Sequence, residues 1–240
     1  MKFPGIIAHR GVSSEYPENS LIAFEKSAEI KADGIECDIR RTADKEIVIM
    51  HDATIDRATT GQGFVCMMNL AEIKQFPLKD RNEKVWENQF IPTLDEFIEL
   101  MKSNDLLMRI EIKEVGLEQQ AVEKIKSAGL QQRVTFTSFL PMALKTIKSI
   151  DSEIKTGLIT ERFAQAEYEH IKDDIDAVDF NFGPTLTREM YERAKNDGLI
   201  IDLWTINDIE TFRAAIEWQP DYITTDYPQV LLKEIRMKEQ

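Results

Sequence analysis

Short apolar runs of strand length alternate with amphipathic helical patterns along most of this 240-residue chain. Eight runs are predicted as strands: Gly5–Ala8, Gly34–Ile39, Leu106–Ile112, Arg133–Thr137, Thr156–Ile159, Ala177–Phe182, Leu199–Thr205 and Tyr222–Thr225. Strands that alternate with helices eight times in a chain of this length predict an α/β fold of the (β/α)8, or TIM-barrel, type. A doubly wound open sheet is the alternative, but its usual nucleotide-binding loops, Gly-x-Gly-x-x-Gly or Walker, follow none of these strands.

Apolar residues spaced three or four positions apart predict helices between the strands. Thr93 is a candidate N-cap, and Gly129 is a candidate helix stop. The predicted helices cover Glu18–Ile30, residues 94–101, residues 121–128, Met142–Ile150, Arg188–Asn196, Ile209–Trp218 and Gln229–Met237. We expect one domain that spans residues 1–240.

One segment interrupts this alternation. Ile47–Met50 is predicted as an extra strand that pairs back on the second barrel strand through a turn near Asp44 and Lys45. From about residue 52 to about residue 91 the periodicity is weak, and the sequence is rich in turn residues and charges. Because long loops in compact domains are usually functional or disordered, we interpret residues 52–91 as an insertion beside the barrel mouth.

Composition excludes several classes of partner. The net charge is 30 minus 43, or -13, which disfavours binding to nucleic acid or anionic lipid. No apolar run approaches the roughly 18 residues of a membrane span, and the start lacks a secretory signal, so we expect no stable membrane anchor.

Cys37 and Cys66 make no disulfide framework, which favours the cytoplasm, and we interpret both as buried small hydrophobes. The oligomeric state, including a homo-oligomer, stays open.

Three carboxylates sit where predicted strands end. Glu36 and Asp38 share one face of the second strand because strand side chains alternate, and Glu111 lies near the end of the next barrel strand. Lys113 follows on the same face. Three converging carboxylates need compensation, and a hard divalent cation, Mg²⁺ or Ca²⁺, takes oxygen ligands. The alternative is a set of surface carboxylates, or carboxylates paired with arginines: Arg40, Arg41 and Arg109.

Two of the three histidines, His9 and His51, also end apolar runs. Histidine titrates near neutrality, so the pair can supply a base and an acid in one reaction cycle. The alternative is that each of these histidines has a structural role or is a metal ligand. His170 is predicted to be a solvated helix residue without a role.

Two further side chains could contact a substrate. Arg10 could bind phosphate oxygens through paired hydrogen bonds, or else pair with Glu18 or Glu36. Trp204 could form an apolar wall for a small substrate, or else pack beneath a helix. Asp202 shares its face and needs a partner if that face is interior.

These residues resemble the glycerophosphodiester phosphodiesterase family over nearly the whole chain and in family order. The N-terminal signature is the most specific part, and its departures, Ser20 and Ile55 where threonine and leucine are common, do not touch the chemistry. The matching segments are residues 9–11, 17–20, 23–24, 32–38, 42, 51–57, 91–94, 111–113, 138–139, 204–207 and 225–228.

The resemblance implies a (β/α)8 barrel with a small insertion after the second barrel strand, and hydrolysis of a glycerophosphodiester to glycerol 3-phosphate and an alcohol. It also implies residue roles. The implied roles are Mg²⁺ or Ca²⁺ ligation by Glu36, Asp38 and Glu111, acid–base catalysis by His9 and His51, phosphate contact by Arg10 and Lys113, and a glycerol contact by Trp204.

Physical chemistry supports such a reaction. Cations offset the charge that grows on phosphate oxygens, one histidine removes a proton from the attacker, and the other protonates the leaving alkoxide. We assign His9 as the base and His51 as the acid. The attacker is either water or the glycerol 2-hydroxyl, which would form a cyclic phosphate. Two other functions remain open: a lyase-like phospholipase with an apolar rim, and a binding protein without turnover.

Overall fold

The computed structural model describes residues 3–161 and 165–238. In chain order its strands are β1 (Gly5–His9), β2 (Gly34–Arg41), β3 (Ile47–Ile49), β4 (Leu78–Lys79), β5 (Val85–Trp86), β6 (Leu107–Ile112), β7 (Val134–Ser138), β8 (Lys155–Thr160), β9 (Ala177–Asn181), β10 (Ile200–Trp204) and β11 (Tyr222–Thr225). Eight of the strands in these ranges, β1, β2 and β6 to β11, run parallel, and β1 pairs with both β2 and β11, which closes the barrel. The predicted (β/α)8 fold is therefore confirmed.

Helices follow the barrel strands and pack around them, and one further short helix lies in the insertion. They are α1 (Leu21–Glu29), α2 (Leu70–Ile73), α3 (Leu94–Lys102), α4 (Glu118–Ser127), α5 (Pro141–Ile150), α6 (Gln165–Ile171), α7 (Arg188–Asn196), α8 (Ile209–Ile216) and α9 (Pro228–Lys238). The predicted N-cap Thr93 accepts a hydrogen bond from the Glu96 backbone, and the Glu96 side chain bonds back to it. Helix α1 begins three residues later than predicted, because Ser20 caps it.

Successive side chains of each strand point alternately outward and inward, which divides the barrel into an outer apolar layer and a polar interior. Cys37 packs with Ile35, Ile39 and the helices, whereas its neighbours Glu36 and Asp38 point into the barrel. Because the polar side chains lie near the carboxyl ends of the strands, the barrel presents its chemistry at that end.

The insertion after the second barrel strand is confirmed. Strand β3 pairs antiparallel with β2, and Lys45 in the turn adopts a positive φ. The following segment contains α2 and the β4–β5 hairpin, both too short to give a periodic pattern. It has a small core of its own, made of Val48, Met50, Ile55, Ala58, Val65, Ile73, Leu78 and Ile91.

Two findings bear on the predictions from composition. Among the helices of the described ranges, none combines the length and apolar character needed to cross a bilayer. The prediction that both cysteines are buried is wrong for one of them: Cys37 is buried, but Cys66 is exposed. Cys66 lies in the 3-10 turn Val65–Met67, where Val65 alone turns into the small core.

Candidate active site

An acidic triad lies at the upper end of the barrel. Glu36, Asp38 and Glu111 are all buried, and each offers one oxygen within 4.8 Å of the others' oxygens. Strands β2 and β6 are neighbours, and their register places Asp38 beside Glu111. The arginines of the alternative interpretation contact other groups: Arg40 pairs with Glu114, Arg41 donates to the Gly116 carbonyl, and Arg109 pairs with Asp179 and Asp202.

The charges of the triad are only partly compensated. Burial, followed by repulsion from Asp38, raises the pKa of Glu36 well above its usual range and that of Glu111 to about 7. Burial would also raise the pKa of Asp38, but Arg10 and Lys113 attract its anion and hold the pKa below its usual range. The Lys113 ammonium lies 2.8 Å from Glu111 Oε1 and 3.4 Å from Asp38 Oδ1.

The triad fits a divalent cation. Asp38 Oδ1 is buried, and among the described residues no donor reaches it with hydrogen-bond geometry. Its other oxygen accepts a hydrogen bond of 2.8 Å from Asn19 Nδ2, which fixes the carboxylate. Three oxygen donors, one of them buried and unbonded, are the donor set that Mg²⁺ or Ca²⁺ prefers.

His9 is fixed by a carboxylate from the far end of the chain. Its Nδ1 lies 2.7 Å from Asp226 Oδ1, and its Nε2 lies 3.8 Å from Glu36 Oε2. Although burial acts in the opposite direction, the hydrogen bond with His9 and the nearby Arg81 hold the pKa of Asp226 below its usual range. Because an ionised carboxylate only accepts, His9 donates from Nδ1, which leaves Nε2 for proton exchange.

His51 repeats this arrangement with the residue that follows it. Its Nδ1 lies 2.7 Å from Asp52 Oδ1, and Arg57 Nε donates to Asp52 Oδ2 at 2.7 Å. Burial opposes the change, but the hydrogen bonds from Arg57 and His51 lower the pKa of Asp52 to about 2. Burial also lowers the pKa of His51, which favours the neutral imidazole at pH 7.

Arg10 has the ion pair that the alternative interpretation predicted. Its Nη1 lies 3.0 Å from Glu18 Oε1, and its Nε lies 3.3 Å from Asp38 Oδ2. Arg57 also donates to Glu18, through two nitrogens at 2.7 Å each. Arg10 nevertheless lines the cavity described next, so its phosphate contact stays a prediction.

A cavity of about 230 Å³ lies beside the triad, large enough for a glycerophosphate group. It is lined by His9, Arg10, Glu36, His51, Arg109, Glu111, Lys113, Thr137, Phe139, Ile159, Glu161, Asp179, Asp202, Trp204 and Thr224. Trp204 therefore lines the cavity rather than packing beneath a helix. Its indole N–H donates to the Asp179 carbonyl at 2.9 Å, and Phe139 packs edge-on against it, with 5.9 Å between the ring centroids. A larger open groove, of about 770 Å³ around Tyr222, holds none of the predicted site residues.

The deeper part of this cavity is a buried ion-pair network. Arg109 pairs with Asp179 and with Asp202, whose Oδ2 also accepts from Thr224 Oγ1 at 2.7 Å. Asp202 thus has the partner that an interior position requires. A Cβ at Gly157 would lie 3.2 Å from a methyl of Thr137, which is a tight contact, and 3.6 Å from an Arg109 nitrogen, which is an ordinary van der Waals distance.

The structure thus brings all eight predicted site residues together around one cavity or in contact with the residues that line it. His170 is exposed on α6, as predicted. Sequence reasoning gave no role to the supporting residues Asn19, Asp52, Arg57 and Asp226. One signal was available: Asp226 directly follows the last barrel strand, which a closed barrel places beside the first.

Fold and site together define a (β/α)8 barrel protein with a buried acidic pocket that could hold a metal ion and that lies beside two imidazoles. Comparison with known sequences agrees. A sequence model of the glycerophosphoryl diester phosphodiesterase family matches residues 9–230. The chain belongs to this family and is an enzyme of this kind.

Individual relatives match over nearly their full length. A glycerophosphodiester phosphodiesterase of Caldanaerobacter subterraneus subsp. tengcongensis is 34% identical over 237 residues, which cover 96% of this chain and 97% of the relative. A solved structure of an Oleispira antarctica phosphodiesterase, in complex with the product sn-glycerol-3-phosphate, has a TM-score of 0.87 and 27% identity and covers 97% of each chain. A putative glycerophosphodiester phosphodiesterase from Galdieria sulphuraria has a TM-score of 0.85 and 26% identity, with 96% of this chain and 98% of that chain covered.

Proposed function

We propose that the protein hydrolyses small glycerophosphodiesters to sn-glycerol 3-phosphate and an alcohol, with a bound divalent cation and with His9 and His51 as the acid–base pair. The observation that carries the proposal is the buried acidic triad, whose oxygens converge beside two imidazoles that are each held through Nδ1. The product named for the Oleispira antarctica structure supports the choice of substrate class.

The cation is proposed to be Mg²⁺ or Ca²⁺, held by Glu36, Asp38 and Glu111. When bound, it would neutralise negative charge on the phosphate oxygens as they approach the transition state. Lys113 and Arg10 add positive charge on the same side of the cavity, which helps an anionic substrate to enter a protein with a net charge of -13.

Proton transfer is assigned to the two Nε2 atoms. His9, held by Asp226, is proposed as the base that takes a proton from the attacking hydroxyl at Nε2. His51 is proposed as the acid: its imidazolium form, stabilised by Asp52, protonates the leaving alkoxide from Nε2–H and becomes the neutral imidazole. Because each imidazole donates from Nδ1 to an ionised carboxylate, each carboxylate stabilises the imidazolium that forms during the cycle.

Trp204 is proposed as the wall against which the glycerol carbons pack. The two cysteines, neither of which is in a disulfide, support an intracellular, cytoplasmic site of action.

A test measures glycerol 3-phosphate released from glycerophosphoethanolamine by the protein, with excess EDTA and after readdition of Mg²⁺ or Ca²⁺. We expect chelation to abolish release and one of the two cations to restore it. Glu36→Gln should require more metal for half-maximal rate, whereas Glu99→Gln, at an exposed ion pair on α3, should not. Full activity in EDTA would refute the metal dependence.

A lysolipid is the second candidate substrate, favoured by one observation. Four exposed apolar side chains, Val115, Phe139, Leu140 and Met142, follow the carboxyl ends of β6 and β7. An apolar rim at this end is what a lipid-cleaving enzyme would need. Assays of lysophosphatidylethanolamine beside glycerophosphoethanolamine separate the two candidates, and we expect the soluble diester to be the faster substrate.

A further inference from the structure

The two imidazoles at the cavity share a second feature. Each carboxylate that holds an imidazole is itself paired with an arginine of the insertion: Asp52 with Arg57, and Asp226 with Arg81. We propose that Arg57 and Arg81 are positioning residues, which orient His51 and His9 through these carboxylates. The inference rests on the proposed function, because it assumes that both imidazoles transfer protons.

Arg57 donates one hydrogen bond to Asp52 and two to Glu18. Its Nε donates to Asp52 Oδ2, and its two terminal nitrogens donate to the two oxygens of Glu18, all at 2.7 Å. Glu18 lies in the loop between β1 and α1 and also pairs with Arg10. A guanidinium presents its N–H donors in a fixed fork, so one that bridges two carboxylates restrains the orientation of both, which a lysine does not do.

Arg81 approaches Asp226 from the turn between β4 and β5. Its Nη2 lies 3.3 Å from Asp226 Oδ2, and its Nη1 donates to the Tyr227 hydroxyl at 3.2 Å. Asn207 also donates to Asp226 Oδ2, at 2.9 Å, so this carboxylate has a second support. Loss of Arg81 should therefore have a smaller effect than loss of Arg57.

The two arginines lie on stretches of the insertion that are hydrogen-bonded to each other. The Lys79 backbone N–H donates to the Ala58 carbonyl at 2.8 Å, and Thr59 forms an antiparallel bridge with Leu78. These contacts join the chain just after Arg57 to the chain just before Arg81. Ala58 and Leu78 are buried in the small core of the insertion. One docked segment therefore orients both imidazoles: that of His9, at the end of barrel strand β1, and that of His51, which follows β3.

If Arg57 and Arg81 had only a structural role, their substitution would have different effects. The side chains of Arg57 and Arg81 are 49% and 37% exposed, and exposed ion pairs contribute little to stability. If the arginines only tied the insertion to the barrel, their removal would change catalysis and imidazole geometry no more than removal of any exposed arginine. Arg188, which pairs with Glu192 on α7 and is not among the residues that line the cavity, supplies the matched control.

The kinetic test uses two glycerophosphodiesters that differ only in leaving group, ethanolamine or p-nitrophenol. With His51 as the acid, Arg57→Gln should lower kcat about 10-fold or more for the ethanolamine ester and less than about threefold for the nitrophenyl ester, because nitrophenolate leaves without a proton. Arg81→Gln should lower kcat for both esters by a similar factor, because the base acts on the attacker. Arg188→Gln should match the wild type.

Glu18→Gln separates the two contacts of Arg57. This variant weakens the contacts of Arg10 and Arg57 with residue 18 but keeps the contact of Arg57 with Asp52. We expect it to raise KM for both esters, with little selectivity for the leaving group. A leaving-group pattern equal to that of Arg57→Gln would contradict positioning through Asp52.

Imidazole ¹⁵N NMR tests the positioning without turnover. The chain has three histidines, and the exposed His170 serves as the internal reference. In Arg57→Gln the His51 signals should move toward a mixture of tautomers, while those of His9 and His170 stay in place; in Arg81→Gln the His9 signals should move instead. Unmoved signals, with kcat within about twofold of Arg188→Gln, would overturn the inference. A wild type that releases no glycerol 3-phosphate would instead refute the proposed function.

Discussion

Arg109 offers the sharpest stability prediction, because it is the cation of a fully enclosed network. It lies between Asp179 and Asp202 inside the barrel, and all three side chains are less than a tenth exposed. Arg109→Met keeps much of the side-chain volume but leaves two carboxylates buried without a cation. Breaking a buried ion pair in this way costs about 3–5 kcal/mol. For a chain of this length that loss lowers Tm by roughly 6–20 °C.

The destabilisation should depend on pH in a definite direction. Burial raises the pKa of Asp179 to about 6 even with Arg109 present, and removal of the cation raises it further. A carboxyl whose pKa is higher in the folded state binds more protons folded than unfolded, so its contribution to stability is lost as pH rises. The loss caused by Arg109→Met should therefore be largest near pH 8 and smaller near pH 5, by up to about 1.4 kcal/mol per pH unit for each extra proton.

Denaturant unfolding and thermal melts of the wild type, Arg109→Met and Arg188→Met at pH 5 and pH 8 measure this prediction. Arg188 pairs with Glu192 at the surface, so its substitution should have a much smaller effect. A stability of Arg109→Met equal to that of the Arg188 control at pH 8 would refute the prediction. A loss of stability that grows on acidification would also refute it.

Three further predictions concern the site. His9→Ala and His51→Ala should each lower kcat by about 10²–10⁴-fold, with Tm and metal affinity nearly unchanged by calorimetry. Near wild-type rates would reject the acid–base assignment. Glu36→Gln should weaken metal binding, yet raise Tm in EDTA by at least about 2 °C, because it removes a buried like charge. A lower Tm in EDTA would contradict the repulsion. Trp204→Ala should raise KM about 10-fold with a smaller change in kcat, and an unchanged KM would exclude Trp204 as the substrate wall.

Periodicity sufficed to predict the barrel and the first residues of the site. The i, i+2 spacing of Glu36 and Asp38 in an apolar strand places both on one face, with Cys37 on the other, whatever the tertiary structure. The position of Glu111 on the neighbouring strand follows from barrel order. Local sequence patterns were enough for these predictions, because buried strands and amphipathic helices each have a characteristic spacing of apolar residues.

The roles of the supporting residues could not be predicted without knowledge of the closed fold. His9 and Asp226 are 217 positions apart and meet only because β11 pairs with β1. Arg57 and Arg81 lie in turns, where no periodic pattern shows which way a side chain points. The exposure of Cys66 was missed for the same reason, since a short 3-10 turn buries only one of its residues. Long-range closure and irregular segments thus limit what local sequence patterns predict.

Crystals soaked in Mn²⁺, a cation that can replace Mg²⁺ at oxygen sites, test the central claim most directly through anomalous scattering. We predict one strong peak within bonding distance of oxygens from Glu36, Asp38 and Glu111, on the cavity side of His9 and His51. The absence of a peak at these carboxylates, or a strong peak only elsewhere, would contradict the metal site from which the rest of the account is built.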